Sequence, residues 1–215
     1  MKVRTLTVGP LEENCYLVID ESTNRAVLID PGDEPAHILA ALHESGATLE
    51  SVWLTHAHFD HLGALAGVLR VHPVPVYMHP LEAPIHEIAV DDALRYGIRI
   101  EKPPAADREL AEGDVVQVGS QQLAVMHVPG HAPGHVAFHD EHVIFGGDCL
   151  FAGSIGRTDL LLADRETLDA SVARLIALGD ELTLYPGHGP ATTIGRERRT
   201  NPFVIGSARL VRLKR

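Results

Sequence analysis

Cysteine is scarce in this chain, with two among 215 residues. That excludes a disulfide scaffold. Cys15 and Cys149 stand far apart in apolar, strand-like stretches without metal-motif spacing, so both are expected as buried, reduced thiols. Long apolar runs are missing too. No stretch approaches the ~18 residues of a membrane helix, and no charged start with an apolar segment behind it marks a secretion signal near Met1. No membrane partner is therefore expected, and the cytoplasm is the expected compartment. Basic charge is in deficit, with 18 Lys and Arg against 29 Asp and Glu and a formal charge of -11. A general nucleic-acid surface needs a basic face, so no nucleic-acid partner is expected. The exception is local. Arg196, Arg198, Arg199, Arg209, Arg212, Lys214 and Arg215 crowd the end of the chain with Glu197 as the only acid. A solvated terminal helix is expected there, with anion binding as the alternative. At 45% hydrophobic content, the chain suits one well-cored domain over residues 1–215.

Histidine is plentiful, at 14 residues. Four good metal ligands stand together in Thr55-His56-Ala57-His58-Phe59-Asp60-His61, directly after the apolar run Val52-Trp53-Leu54, which reads as a buried strand. In an extended loop, side chains two apart share a side. His56, His58 and Asp60 would then point together and His61 elsewhere. Adjacent side chains diverge, so one ion cannot easily take Asp60 and His61 along with His56 and His58, and the spacing predicts two metals side by side.

The rest of the chain supplies more ligands in the same way. Strand-like segments over 3–8, 15–19 and 26–29 lead to Asp30-Pro31-Gly32, a turn in which Asp30 has a structural role available through bonds to nearby N–H groups. A helix over 35–44 follows, with Pro35 in its first turn and Gly46 as its stop. Beyond the histidine loop a helix over 61–72 is predicted with Asp60 as its N-cap, and Gly63 and Gly67 on one face allow close backbone packing. A strand over 74–78 comes next, then a partly helical stretch over 81–96 interrupted by Pro84. His79 and His86 lack partners at ligand spacing and are expected at the surface or in loops. A hairpin-like pair over 115–118 and 123–128 ends in Pro129-Gly130-His131-Ala132-Pro133-Gly134-His135. Its glycines let the backbone close around an ion. His131 is the candidate ligand, and His135 is expected to brace the loop. Asp148 follows a strand and Gly146-Gly147, and its two oxygens can bridge two cations. A helix over 168–178 with Asp164 near its N-cap precedes a strand over 182–185, which delivers His188 in Pro186-Gly187-His188-Gly189-Pro190.

Set in order, His56, His58, Asp60, His61, His131, Asp148 and His188 resemble the metallo-β-lactamase superfamily, and within it the glyoxalase II-like hydrolases. The likeness runs from Asp30-Pro31-Gly32 to Asn201-Pro202-Phe203. It implies an α/β fold, a four-layer αββα sandwich with the metals at one edge. It also implies one metal on His56, His58 and His131, a second on Asp60, His61 and His188, and Asp148 shared. Histidine and carboxylate ligands suit a pair of zinc ions, with iron or manganese also compatible. Two cations can lower the pKa of bound water toward about 7 and polarise a carbonyl, with Asp60 helping to orient the nucleophile. A leaving thiolate, with a pKa near 8.5, needs little acid assistance.

The resemblance thus implies hydrolysis of a small-molecule thioester such as a hydroxyacyl-glutathione. Oxidation of glutathione persulfide at one iron, on His56, His58 and His131 with the second site empty, is the alternative. A non-catalytic metal-binding module is a third reading. Full-length glyoxalase II enzymes carry a helical C-terminal domain for which this chain has no room, so it resembles the short members. Gly153-Ser154-Ile155-Gly156-Arg157-Thr158-Asp159 resembles their loop and that of persulfide dioxygenases, but Leu160-Leu161-Leu162 replaces the usual aromatic. Arg157 either binds a substrate carboxylate or pairs with Asp159. The antibiotic-hydrolysing branch, which often has cysteine where Asp148 stands, is not expected, nor are the nucleases.

Overall fold

A computed structural model describes residues 1–206. The first sheet runs in chain order, as β1 (Lys2–Val8), β2 (Glu13–Asp20), β3 (Arg25–Ile29), β4 (Thr48–Trp53), β5 (Val76–Met78) and β6 (Arg108–Glu109). Its first three strands are antiparallel, and β3 to β6 are parallel. The second sheet holds β7 (Val115–Val118), β8 (Gln121–His127), β9 (Val136–His139), β10 (Val143–Gly147), β13 (Thr183–Pro186) and β14 (Thr192–Thr193), in spatial order β14-β13-β10-β9-β8-β7. A small hairpin of β11 (Leu150–Phe151) and β12 (Ser154–Ile155) lies between β10 and β13 in sequence.

Side-chain alternation explains the layering. Along β2 and β3, Tyr16, Val18, Val27 and Ile29 face the second sheet and meet Val116, Val125, Phe138 and Phe145. The residues between them, Leu17, Ile19, Ala26 and Leu28, face the helices α1 (Pro35–Ser45), α3 (Leu65–Val71) and α4 (Ala83–Arg95). Period-two alternation puts neighbours on opposite faces, and both faces are covered, so every residue of β2 is buried. Ala137, Ile144 and Leu184 present the outer face of the second sheet to α5 (Arg165–Ile176) and α6 (Ile194–Thr200). The result is a four-layer αββα sandwich.

Local chemistry fixes several boundaries. Pro35 opens α1, and Gly46, at φ 67°, returns its N–H to His43 O to end it. Asp164 caps α5 by accepting from Thr167 N at 2.7 Å. Three expectations are corrected. The helix over 61–72 is two pieces, α2 (Phe59–Leu62) and α3, so Asp60 lies in the first turn of α2 rather than at its cap. Gly63 sits at the break, where a Cβ would lie 2.5 Å from Gly32 O. Pro84 does not interrupt a helix. It occupies the first turn of α4, where its missing N–H is not needed. His79 does stand in a loop, but it is not at the surface: it is buried at 8% exposure, with its ring stacked on His127 at 4.5 Å. Both cysteines are free and buried, and among the described residues no helix is long and apolar enough to cross a membrane. Of the basic cluster, Arg196, Arg198 and Arg199 lie on α6, while Arg209, Arg212, Lys214 and Arg215 fall outside the described residues.

Candidate metal centre

The ends of four strands converge at one edge of the sandwich. The exit of β4 carries His56 and His58, and α2 then turns Asp60 and His61 away from them. The exit of β8 carries His131, β10 carries Asp148, and β13 carries His188. The two sheets are joined at this edge by Val136 N donating to Thr55 O at 2.8 Å. Between Phe145 and Gly147 the register of β10 against β13 shifts, and Gly147 adopts φ 47°. Only glycine fits there, since a Cβ would lie 2.5 Å from Thr55 Oγ1 and 2.7 Å from His135 Nε2. Gly187 is equally confined, because its Cβ would fall 2.2 Å from Asp148 Oδ1.

Asp30 is the hub behind the histidines. It sits just past β3 in a left-handed conformation at φ 51° and is buried. It accepts Thr55 N at 2.7 Å, Thr55 Oγ1 at 2.6 Å and His61 Nδ1 at 3.0 Å. Because the Thr55 hydroxyl gives its hydrogen to Asp30, its oxygen is left to accept from His56 Nδ1, 3.0 Å away. Two more imidazoles are fixed by carbonyls, with His131 Nδ1 donating to Arg157 O at 2.9 Å and His188 Nδ1 to Leu11 O at 3.1 Å. A neutral imidazole has one N–H. In all four rings Nδ1 points outward and Nε2 faces the centre, where it offers a lone pair once the ring is neutral. His58 instead turns Nδ1 inward, 2.9 Å from His131 Nε2.

These donors fall into groups whose ligand atoms lie within 4.8 Å of one another: His56, His58 and His131 in one, and Asp60, His61 and His188 in another. A third grouping, Asp30 with His56 and His61, is already committed to the hydrogen bonds just described. Asp148 lies between the first two. Its Oδ1 is 3.4 Å from His61 Nε2, and its Oδ2 is 3.5 Å from His131 Nε2 and 3.7 Å from His188 Nε2. His188 Nε2 also lies 3.3 Å from Asp60 Oδ2. The extended-loop expectation that Asp60 sides with His56 and His58 is thus corrected. The helical turn begins at Phe59 and rotates Asp60 toward His61 and His188.

The donor set fits divalent cations. His56 Nε2, His61 Nε2 and Asp148 Oδ1 are buried without a hydrogen-bond partner, and such orphans cost about 1–3 kcal/mol each unless something answers them. Burial, then the neighbouring imidazoles, pushes His56 well below the ordinary histidine range. Burial and His131 bring His58 down to about 3. The first group therefore offers neutral nitrogens. At the second, burial opposes charge on His61, but Asp148 and Asp60 outweigh it and hold the imidazole well above the usual range. Burial would raise Asp148, yet His61 and His131 keep its carboxyl well below the carboxylate range.

His135 is not among the grouped donors. Its Nε2 accepts Asp148 N at 2.9 Å, so it braces the loop as expected. Arg157 pairs through Nε and Nη2 with Asp159 at 3.0 and 3.1 Å, and it is the carbonyl of Arg157 that serves the centre. Asp30, Thr55 and Glu82 had no ligand signature in the sequence. The centre opens to a cavity of about 250 Å³ bordered by Leu11, Tyr96, Phe151 and Leu160. This adjoins one of about 410 Å³ along α4, lined by Ile85, Ile88, Asp92, Arg95 and Arg157.

The fold and this donor set define a metallo-hydrolase-type centre, and the metallo-beta-lactamase superfamily model matches residues 8–188. The chain belongs to that superfamily. It is 35% identical over 209 residues to hydroxyacylglutathione hydrolase GloC of Haemophilus influenzae, covering 95% of this chain and 98% of that one. The crystal structure of TTHA1623 in a di-iron-bound form is 48% identical, with a TM-score of 0.87 over 94% of this chain and 100% of that chain. The BLEG-1 B3 metallo-beta-lactamase structure is 36% identical, with a TM-score of 0.88 over 94% and 99%.

Proposed function

We propose that the protein is a dinuclear metal hydrolase that cleaves a small-molecule thioester, with a hydroxyacyl-glutathione as the first substrate to test. One metal would be held by His56, His58 and His131, the other by Asp60, His61 and His188, and both by Asp148. The observation that carries this reading is the pair of ligand groups with the two oxygens of Asp148 turned toward members of each. Two divalent cations, zinc first and iron or manganese with the same ligands, supply Lewis acidity that polarises a carbonyl and acidifies water.

The chain's own residues do the rest. Asp30 fixes which nitrogen of His56, through Thr55, and of His61, directly, faces inward. The carbonyls of Arg157 and Leu11 do the same for His131 and His188. Asp60 stands beside His188 with a carboxylate oxygen available to orient the attacking water. A leaving thiolate, with a pKa near 8.5, departs without a dedicated acid. The thiol portion would lie in the cavities under α4, where Arg157 borders both. To bind a substrate carboxylate it must exchange Asp159. We place the activity in the cytoplasm, where two free thiols stay reduced.

The similarity to GloC supports the substrate class. The test is elemental analysis of protein purified without added metal, paired with thiol release from lactoyl-glutathione. About two metals per chain and thiol release that is lost in His58→Ala are expected. One iron per chain, no thiol release and oxygen uptake with a persulfide would replace the hydrolase with a dioxygenase. Faster turnover of a chromogenic cephalosporin than of the thioester would favour the activity named for BLEG-1.

A further inference from the structure

Behind the first ligand group lies a carboxylate that belongs to no group. Glu82 ends a single 3-10 turn, Pro80–Glu82, directly before α4, and it is fully buried. Its Oε2 accepts Ala57 N at 2.7 Å, and its Oε1 accepts Gly134 N at 2.6 Å. Ala57 stands between His56 and His58, and Gly134 is in the loop that carries His131. One side chain therefore ties together the two backbone segments that bear all three members of that group. Among the described residues, no hydrogen bond of Glu82 reaches Asp60, His61 or His188.

The surroundings hold this side chain in place. His79 Nδ1 accepts Leu81 N at 3.2 Å and caps the turn. His79 stacks on His127, whose Nε2 donates to Pro133 O at 3.0 Å, next to Gly134. A Cβ on Gly134 would lie 2.8 Å from His79 Nδ1 and 3.0 Å from Glu82 Cγ. The fit is close on both sides of the carboxylate. The stacked histidine pair fixes the turn from which Glu82 reaches.

We infer that Glu82 is a positioning residue that sets the His56–His58–His131 group and leaves the Asp60–His61–His188 group independent of it. Because α4 starts one residue later and lines the adjoining cavity with Ile85 and Asp92, the same anchor makes the cavity wall and the first ligand group one body. The inference rests on the dinuclear reading.

Glu82→Gln keeps the size but presents an amide NH₂ to one of two N–H donors, so one loop loses its acceptor. Zinc-loaded protein is dialysed against graded chelator and the zinc per chain counted. The wild-type protein should hold two ions. Glu82→Gln should release one of them at about 10–100-fold lower chelator concentration, the usual range for a residue behind a ligand, and hold the other as wild type does. In a His188→Ala background the substitution should weaken the remaining ion, and in His131→Ala it should not. Asp20→Asn, at the far end of the sandwich, controls for general loosening and should leave both release steps unchanged. Should Glu82→Gln fail to fold, Glu82→Asp, which keeps the charge but shortens the reach, is read the same way. Equal weakening of both ions, or none, overturns the inference. A wild-type protein holding one ion would instead overturn the dinuclear reading, and the effect of Glu82→Gln on that ion would still decide the role of Glu82.

Discussion

Strand β2 carries a buried carboxyl group at each end, and the fold treats the two in opposite ways. At the far end, Asp20 accepts Ser22 N, Ser22 Oγ, Thr23 Oγ1, Ser120 N and Ser120 Oγ at 2.7–3.0 Å. The Ser120 contacts come from the β7–β8 turn, so Asp20 ties the first sheet to the second. At the near end, both oxygens of Glu13 are buried without a hydrogen-bond partner, and Oε1 lies 3.7 Å from His61 Nδ1. Bonds from Ser120 N, Ser22 and Thr23 hold the Asp20 carboxyl well below its ordinary range. Burial pushes Glu13 well above, against the pull of His61. The saturated carboxylate holds the fold. Unsatisfied groups collect at the end where the ligands meet, as expected where polar atoms await a partner from outside the chain.

This contrast can be broken at either end. The largest effect belongs to the near end, where Asp148→Ala should lower thiol release by about 10³-fold or more, several kcal/mol of lost stabilisation, with far smaller change in the melting of metal-free protein. Between the ends, Phe138 is fully buried against Trp53, at 5.2 Å between ring centroids. Phe138→Ala should cost about 3–5 kcal/mol of stability in denaturant unfolding while the metal content of folded protein stays at the wild-type level.

At the far end, Asp20→Asn should lower the melting temperature at neutral pH. A carboxyl depressed on folding stabilises above its unfolded pKa of about 3.9 and loses that contribution as pH falls below it. The gap between wild type and variant should therefore begin to narrow below about pH 4 and go on narrowing as pH falls toward the folded-state pKa. A gap that stays constant to about pH 3 would show that charge is not the cause. The smallest effect is expected of Glu13→Gln. A carboxyl raised by burial is already close to an uncharged amide, so metal-free stability near neutral pH should change by no more than about 0.5 kcal/mol. A large loss would identify Glu13 as an ionised partner of His61.

The side chains that the structure gathers at the candidate centre were legible in the sequence, because strand-loop-ligand order is local. His131 and His188 each stand between small residues just past a strand, and His135 was separable from His131 by position alone. The partition of Asp60 was not legible from spacing. It depends on a helical turn at Phe59 whose break at Gly63 is dictated by Gly32 across the fold. Asp30 has an ordinary turn motif, and its role depends on Thr55 and His61, which arrive 25 and 31 residues later. The carbonyls of Leu11 and Arg157 have no side-chain signature at all. His79 looked solitary because its stacking partner, His127, belongs to the other sheet.

The first ligand group draws His56 and His58 from the first sheet's connections and His131 from the second's, and the other group draws Asp60 and His61 from one and His188 from the other. Neither of these two groups is complete within one half of the chain. During synthesis, from the N-terminus onward, the first triad is complete once residue 131 has folded in, whereas the second waits for residue 188. On the dinuclear reading proposed above, a growing chain would gain its two ions in a fixed order, and uptake of the second would mark the moment when the sandwich has closed.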